Sequence, residues 1–404
     1  MAKKVNLPEP IIPNDSWKVV KLGQYVKILN GYPFDSSRFT NSNENTYPLI
    51  RIRDVVRGYT ETFTDEDCPD EYKIKKGEIL IGMDGDFNIS RWKSDFGLLN
   101  QRVCKISTVS KDLDEKFLFY YLPIPLKLIN DATPSVTVKH LSSTSLQELH
   151  FPLPTLDEQQ RIVNRIESMF AKLDEAKEKA QNVVDGFETR KAAILHKAFT
   201  GELTTKWRKE NGVSDDSWKE KRFCEVADIK SNLVDIAEYR DFPHIAPDNI
   251  EKKTGILLEY HTVEEDKVTS GKHRFYAGQI LYSKIRPYLS KVIIVDFDGV
   301  CSADMYPIEA KGNTRFLWYQ MLSNEFLDKA SNSGSRSVLP KINQKELSVI
   351  PMQICSLPEQ VEIVRILDII IEKENKAKQA AEAVLEQIDL LKKSILARAF
   401  RGEL

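Results

Sequence analysis

The sequence predicts an α/β protein: two mixed α/β heads alternating with two long helices that pair within the chain, built as an internal duplication of period about 201 residues. Three observations carry this reading. Ala198-Phe-Thr-Gly-Glu-Leu203 recurs as Ala399-Phe-Arg-Gly-Glu-Leu404, and Glu158-Gln-Gln-Arg-Ile-Val163 as Glu359-Gln-Val-Glu-Ile-Val364, both at an offset of 201 without a gap. Over 156–203 against 357–404, 18 of 48 positions are identical, whereas the preceding regions agree only in scattered pieces such as Ser16-Trp17-Lys18 with Ser217-Trp218-Lys219. Both repeated stretches carry an apolar stripe at heptad spacing, and both diverged regions carry short β-branched runs bounded by Gly, Asp and Asn.

In chain order, residues 1–152 read as the first head. Strands are expected at Tyr47–Arg53, Glu78–Ile81 and Arg102–Ile106, and a helix at Asp114–Leu122. Residues 153–206 read as the first helix, with a seam of Ile162, Ile166, Met169, Leu173, Ala176, Ala180, Val183, Phe187, Arg190 and Ile194. Gly186 falls inside that pattern, but its counterpart is Gln387, so the fold does not require a break there. Residues 207–354 read as the second head, with a strand at Lys291–Asp296 and a helix at Arg315–Ala330. Residues 355–404 close the chain with a second seam of Ile363, Leu367, Ile370, Glu374, Ala377, Ala381, Val384, Ile388, Leu391 and Ile395. Each seam has one polar member, Arg190 or Glu374. A narrow stripe on each of two helices of equal length calls for a partner, and the other helix of the same chain supplies it.

Composition restricts the function classes. The formal net charge is −2 and no segment is strongly basic, whereas a stand-alone DNA binder usually carries a strongly positive domain. Any nucleic-acid role therefore needs locally placed side chains or a partner that supplies positive field. No apolar run reaches the roughly 18 residues of a membrane span, and the first 13 residues lack a signal-peptide core, so a cytoplasmic protein is expected. The five cysteines are widely spaced and odd in number, which argues against a disulfide framework and a structural zinc site.

Catalytic motifs are missing. Gly271-Lys272 is followed by His273, so no phosphate-binding loop of the G-x4-G-K-[ST] type is present. The six histidines are scattered without metal-ligand spacing. No Asn-Pro-Pro-Tyr or Asp-Pro-Pro-Tyr stretch occurs, and Pro69-Asp70-Glu71-Tyr72-Lys73 places its carboxylates and lysine in consecutive residues that cannot converge on one metal. No catalytic or metal-binding residue is assigned, and no cofactor is expected in this chain.

The helix starts, Phe151-Pro-Leu-Pro-Thr-Leu-Asp-Glu-Gln-Gln-Arg-Ile-Val163 and Cys355-Ser-Leu-Pro-Glu-Gln-Val-Glu-Ile-Val364, together with the two Ala-Phe-x-Gly-Glu-Leu exits, closely resemble the specificity subunit of type I restriction–modification systems. The resemblance spans the full length. The second start departs from the first, with Cys355 and Pro358 in place of Pro154 and Asp157. The family implies target-recognition domains at 1–152 and 207–354 and conserved helical spacers at 153–206 and 355–404, the helices running antiparallel as a coiled coil. It further implies a non-catalytic reader of a bipartite, asymmetric double-stranded DNA target, each head taking one half and the helices setting the spacer. Two modification (methyltransferase) subunits would dock on it, carrying S-adenosylmethionine, and restriction subunits would bring ATP and Mg. The alternative is a two-headed coiled-coil adaptor that binds proteins and not DNA; neutral charge suits it, but the start and exit motifs oppose it.

DNA-contact candidates follow from residue type and place. Arg51 and Arg53 alternate with Ile50 and Ile52, which on a strand would put both guanidiniums on one face, and bidentate arginine to guanine is the commonest specific contact. In the loop after the Gly77 strand, Asp84, Asn88, Arg91, Trp92 and Lys93 combine base-edge donors, an acceptor and cations. The same place in the second repeat holds Lys284, Arg286 and Tyr288. Tyr32 and Arg38, Lys139 and His140, and Ser335 and Arg336 complete the set.

Overall fold

The computed structural model describes residues 17–133, 139–332 and 340–404. Its contacts divide the chain into two compact units, Met1–Lys179 with Ala383–Leu404, and Ala180–Glu382. Each unit therefore joins one head to half of each long helix.

In the first unit, a four-stranded antiparallel sheet runs in the order Val26–Asn30, Val103–Thr108, Ile79–Gly82, Ile89–Arg91. A five-stranded mixed sheet runs Phe39–Thr40, Phe63–Thr64, Tyr47–Ile50, Phe96–Leu99, Lys73–Lys75, with Tyr47–Ile50 and Phe96–Leu99 parallel and Ile50 opposite Leu99. The strand expected over Tyr47–Arg53 stops at Ile50. Residues Ile52–Arg57 form a short helix, α1, because the buried Asp54 carboxylate accepts the Arg51 N–H at 2.9 Å and Gly58 ends the turn at φ 80°. Arg51 and Arg53 thus straddle a helix start and do not share a strand face.

The second unit repeats the plan. Its four-stranded sheet is Ala227–Ile229, Met305–Ala310, Ile280–Ser283, Val292–Ile294. Its five-stranded sheet is Leu233–Val234, Lys272–Phe275, Gly299–Cys301, Pro243–Ile245, His261–Thr262, again with one parallel pair, Ile245 opposite Cys301. The two mixed sheets share four strands in the same order and orientation; each adds its fifth at the opposite edge. The helix expected over Arg315–Ala330 is two helices, Thr314–Met321 and Asn324–Asn332. Leu322–Ser323 separates them, and the buried Ser323 hydroxyl accepts the Phe326 N–H at 3.3 Å, as an N-cap does.

The first long helical stretch is α2, Leu156–Asp185, and α3, Phe187–Phe199; the second is one helix, α4, Leu357–Ala399. The first stretch is divided at Gly186 and the second runs on through Gln387, so the fold does not require a break there. A Cβ at Gly186 would lie 2.4 Å from the Arg190 guanidinium, which folds back to donate to the Val183 carbonyl at 2.9 Å and to Glu374 at 2.8 Å. The two polar seam residues are therefore each other's partners.

Both units show the helices antiparallel. In the first, Ile162, Val163 and Ile166 share a core with Ile395, Ala399 and Phe400, and Phe400 meets Phe117 and Tyr121 edge-on at centroid distances of 5.3 and 5.2 Å. In the second, Leu195, Ala198 and Phe199 share a core with Ile363, Val364 and Leu367, and Phe199 meets Phe316 at 5.3 Å. Each exit motif thus plugs the head of the other repeat.

The first seam is buried or half-buried throughout, including Ile162, Ile166, Met169, Leu173, Val183, Phe187 and Ile194. On α4, Ile363, Leu367, Ile370, Ile388 and Ile395 face inward, but Ala377, Val384 and Leu391 are exposed, the last two at 40% and 46%. The inner positions are instead Lys378, Leu385 and Lys392. Each lysine lays its stem inward with its ammonium over a ring, Lys378 over Phe187 at 5.0 Å and Lys392 over Phe170 at 5.1 Å.

Candidate nucleic-acid interface

The loop that follows the Gly77 strand is held by the same main-chain ladder in both heads. Leu141 N–H donates to Met83 O at 2.7 Å and Gly85 N–H to Lys139 O at 3.0 Å; in the second head Ile342 N–H donates to Lys284 O at 2.9 Å and Arg286 N–H to Pro340 O at 2.7 Å. All four pairs are related by the 201-residue offset, as are the bridges Asp84 to His140 and Ile285 to Lys341. Main-chain bonds need no particular side chain, so the ladder survives where the side chains around it have diverged.

The side chains on this frame are polar and differ between heads. Asp84 takes the His140 imidazole at 2.6 Å and the Arg102 guanidinium at 3.4 Å. Lys139 donates to the carbonyl and side-chain oxygens of Asn130, at 2.7 and 3.1 Å, and Asn130 in turn donates to the Gly85 carbonyl. Asn88 is exposed on the same loop. Lys139 and His140, distant in sequence from Asp84 and Asn88, are thus brought to the same place.

In the second head, Lys284 lies over the Tyr306 ring at 5.3 Å, Arg286 and Tyr288 are exposed, and Lys341 reaches Asp304 at 3.2 Å. Burial first, then the nearby Lys284 ammonium, hold the His273 imidazole below its usual pKa. Arg286 and Ser290 both adopt left-handed backbone, at φ 48° and 46°, on either side of the 3-10 turn Pro287–Leu289. Two such non-glycine residues in one loop mark local strain of the kind that clusters at binding sites. Lys341 had escaped notice in the sequence; the signal was there, as His140 shifted by 201.

Other candidates go elsewhere. Trp92 is 1% exposed and belongs to the core of the first head with Ile50, Val55 and Leu80, so it cannot reach a duplex. Arg91 is turned to Glu115 at 2.7 Å and the Gly77 carbonyl at 2.8 Å, and covers Phe119. It lies on the strand Ile89–Arg91 and not in the loop. Tyr32 packs half-buried against Phe34 and Tyr72, and Arg38 pairs with Asp65 at 2.8 Å. Arg51 sits over Phe39 at 5.9 Å, and Arg53 donates to Thr62 at 2.9 Å. Lys93 is exposed and its stem crosses Gly58, where a Cβ would meet it at 2.5 Å. Ser335 and Arg336 lie outside the described residues. The structure thus gathers Asp84, Asn88, Lys139 and His140 in one head and Lys284, Arg286 and Tyr288 in the other, and separates Trp92 and Arg91 from them. Among the described residues no three His, Cys, Asp or Glu side chains are grouped to hold a metal, and no helix is long and apolar enough to cross a membrane.

The family model of the type I restriction modification DNA specificity domain matches this chain twice, at residues 14–184 and 215–387, once in each repeat. The type I restriction enzyme EcoDI specificity subunit of Escherichia coli is 35% identical, over 96% of this chain and 88% of its own length. The EcoBI specificity subunit of Escherichia coli is 31% identical over 97% and 87%. Among solved structures, the HsdS subunit from Thermoanaerobacter tengcongensis aligns with a TM-score of 0.60 at 17% identity, covering 97% of this chain and 98% of that one. A chain from a study of complex assembly and conformational transition of the type I R-M system aligns with a TM-score of 0.67 at 17% identity, covering 99% and 100%. At such identity these two structures speak for the fold alone.

Proposed function

Given that the chain belongs to the type I restriction–modification DNA specificity family, we propose that its heads read the two halves of a bipartite DNA target through the clamped loops around Asp84 and Arg286. The observation that carries this is the repeated ladder. One main-chain frame, present in both heads, holds different polar side chains in each, which is what reading two unlike half-sites requires. Asn88, His140, Arg286 and Tyr288 are the contact residues we assign, with Lys93, Lys139 and Lys284 on phosphates. The helices set the spacer between half-sites and dock two modification subunits. Methyl transfer from S-adenosylmethionine then belongs to those subunits, and ATP- and Mg-dependent cleavage to restriction subunits. The partners also supply the positive field that this chain, at net charge −2, lacks. The neutral charge that suits a two-headed adaptor is outweighed by the family match over both repeats.

The test is the methylated motif in host DNA, read by single-molecule sequencing with the gene present, deleted, and carrying Arg286→Ala. The expected result is a bipartite motif that vanishes on deletion and is relaxed by Arg286→Ala in one half only. A motif unaffected by deletion overturns the assignment; relaxation of both halves overturns the division of labour between heads.

A further inference from the structure

The first head contains an open cleft of about 730 Å³ lined by Asn41, Asn43, Arg53, Arg57, Glu61 and their neighbours, of which only Arg53 stood out in the sequence. Its distinguishing feature is how the arginines of this head are committed. Arg38 is paired with Asp65, Arg51 lies over Phe39, Arg53 is bonded to Thr62, Arg91 to Glu115 and Arg102 to Asp84. The side chain of Arg57 alone makes no hydrogen bond, ion pair or ring contact with any described residue, and it is exposed.

Three more side chains of the lining are equally uncommitted, whereas Arg53 and Thr60 are bonded within the head. The side chains of Asn41, Asn43 and Glu61 have no partner among the described residues, and Val56 and Tyr59, 55% and 50% exposed, flank Arg57 in sequence. The platform beneath them is firm. Asp54 closes the start of α1, Gly58 closes its end, the Lys93 stem crosses Gly58, and Val55 anchors the helix in the core.

We propose that this cleft is a base-reading site of the first head, with Arg57 taking the O6 and N7 acceptors of a guanine in that head's half-site. The chemistry of the cleft separates base edges from phosphate. Two arginines line the cleft, but Arg53 is bonded to Thr62, and the Glu61 carboxylate would repel a phosphate. The free guanidinium fork of Arg57, two carboxamides and a carboxylate are the side chains that pair with guanine, adenine and cytosine edges in the major groove. An arginine already held by Asp65 or Glu115 must give up that bond before it can read a base, whereas Arg57 gives up only side-chain freedom.

The inference rests on the DNA-reading role proposed above and adds a second contact element to it. The test uses the full complex of this chain with its modification subunits, methylating a DNA library randomised at both half-sites. Variants are Arg57→Ala and Arg57→Lys, with Arg38→Ala as a control at a paired surface arginine. Both Arg57 variants are expected to lose discrimination at a single G·C position of one half-site by roughly 5- to 100-fold, because lysine keeps the charge but not the fork. The other half-site, the spacer, the melting temperature and the salt dependence of binding stay as in the wild type, and Arg38→Ala changes none of them. A uniform loss over all sequences, with the salt slope reduced by about one, makes Arg57 a phosphate contact and overturns the proposal, as does unaltered specificity. A wild-type complex without any bipartite motif overturns the DNA-reading role itself, a result that cannot be confused with the other two.

Discussion

At the scale of single residues, the two helix starts show one motif doing two jobs. Gln159 and Gln360 are related by the offset, and both are buried fasteners. Gln159 accepts the Asp114 N–H at 2.8 Å and donates to the Asp112 and Pro154 carbonyls; Gln360 accepts the Asn313 N–H at 3.1 Å and donates to the Cys355 carbonyl. Each ties the start of a long helix to the cap of the first helix after the four-stranded sheet. The acceptor at 154 and 355 is main chain, so the exchange of Pro154 for Cys355 costs the junction nothing. Glu158 and Glu359, also offset-related, have parted. Glu158 pairs with Arg161 at the surface, while Glu359 is fully buried and receives Thr204, Arg208, Ser217 and Trp218 at 2.7, 2.7, 3.3 and 3.1 Å. Burial works against the charge of Arg208, but its bonds to Glu359 and Asp215 outweigh that and raise its pKa overall. Removing Glu359 leaves the buried Arg208 with only the exposed Asp215 as counterion and orphans the Thr204 and Trp218 donors, and losing one partner of a buried pair costs about 3–5 kcal/mol. Glu359→Ala should therefore lower amide protection in the second unit by that amount, while Glu158→Ala stays within about 1 kcal/mol. Hydrogen exchange followed unit by unit reads this, and equal effects from the two substitutions would show that the burial difference has no energetic weight.

At the scale of elements, heptad counting found both helices and misjudged the far half of α4. Apolar residues at 377, 384 and 391 continued a 4-3 pattern, yet the inner stripe runs through Lys378, Leu385 and Lys392, one position further along. Lysine scores as polar in any such count, but its four-carbon stem packs like an aliphatic chain when an aromatic face receives the ammonium. The break at Gly186 escaped for a related reason, since only the fold brings Glu374 to Arg190 and draws the guanidinium across the glycine. The exit motifs were visible as repeats, but not their destination. Phe400 is 3% and Phe199 6% exposed, each against aromatic rings of a head. Phe400→Ala should cost about 3–5 kcal/mol, read as lost protection in the helix Glu115–Tyr121, and Phe199→Ala should do the same to Thr314–Met321. Loss in the head that precedes each phenylalanine in sequence, instead of the one it packs on, would contradict the antiparallel arrangement.

At the scale of the whole molecule, neither head is a closed piece of sequence. The core of the first is completed by Ile395, Ala399 and Phe400 from the other end of the chain, so exchanging residues 1–152 between relatives succeeds only where the incoming head has rings to meet Phe400. The handover between units falls within the long helices, at Lys179–Ala180 and Glu382–Ala383. One heptad inserted at each of these points leaves both cores as they are and lengthens each helical run by roughly 10 Å at 1.5 Å per residue. If the helices set the spacer, the methylated motif should keep its half-site bases and gain roughly one to three base pairs between them, taking about 3.4 Å per base pair. Methylome sequencing shows the outcome; full activity with an unaltered spacer would leave the helices with docking as their only role.

What the sequence determined by itself is what repeats or is periodic along the chain: the 201-residue duplication, two heads of mixed α/β type, two helices with apolar seams, and the family whose start and exit motifs these are. What only the tertiary structure decided is every assignment that depends on a distant partner. Trp92 read as a contact residue because its neighbours are Arg91 and Lys93, and it is a core residue because the parallel strand pair and Val55 close over it. Arg57 carried no signal at all; its place in an open cleft follows from α1, which forms where alternation had suggested a strand. Periodicity is a property of neighbours in sequence, whereas burial and the pairing of charges are properties of neighbours in space, and in this chain those neighbours come from opposite ends.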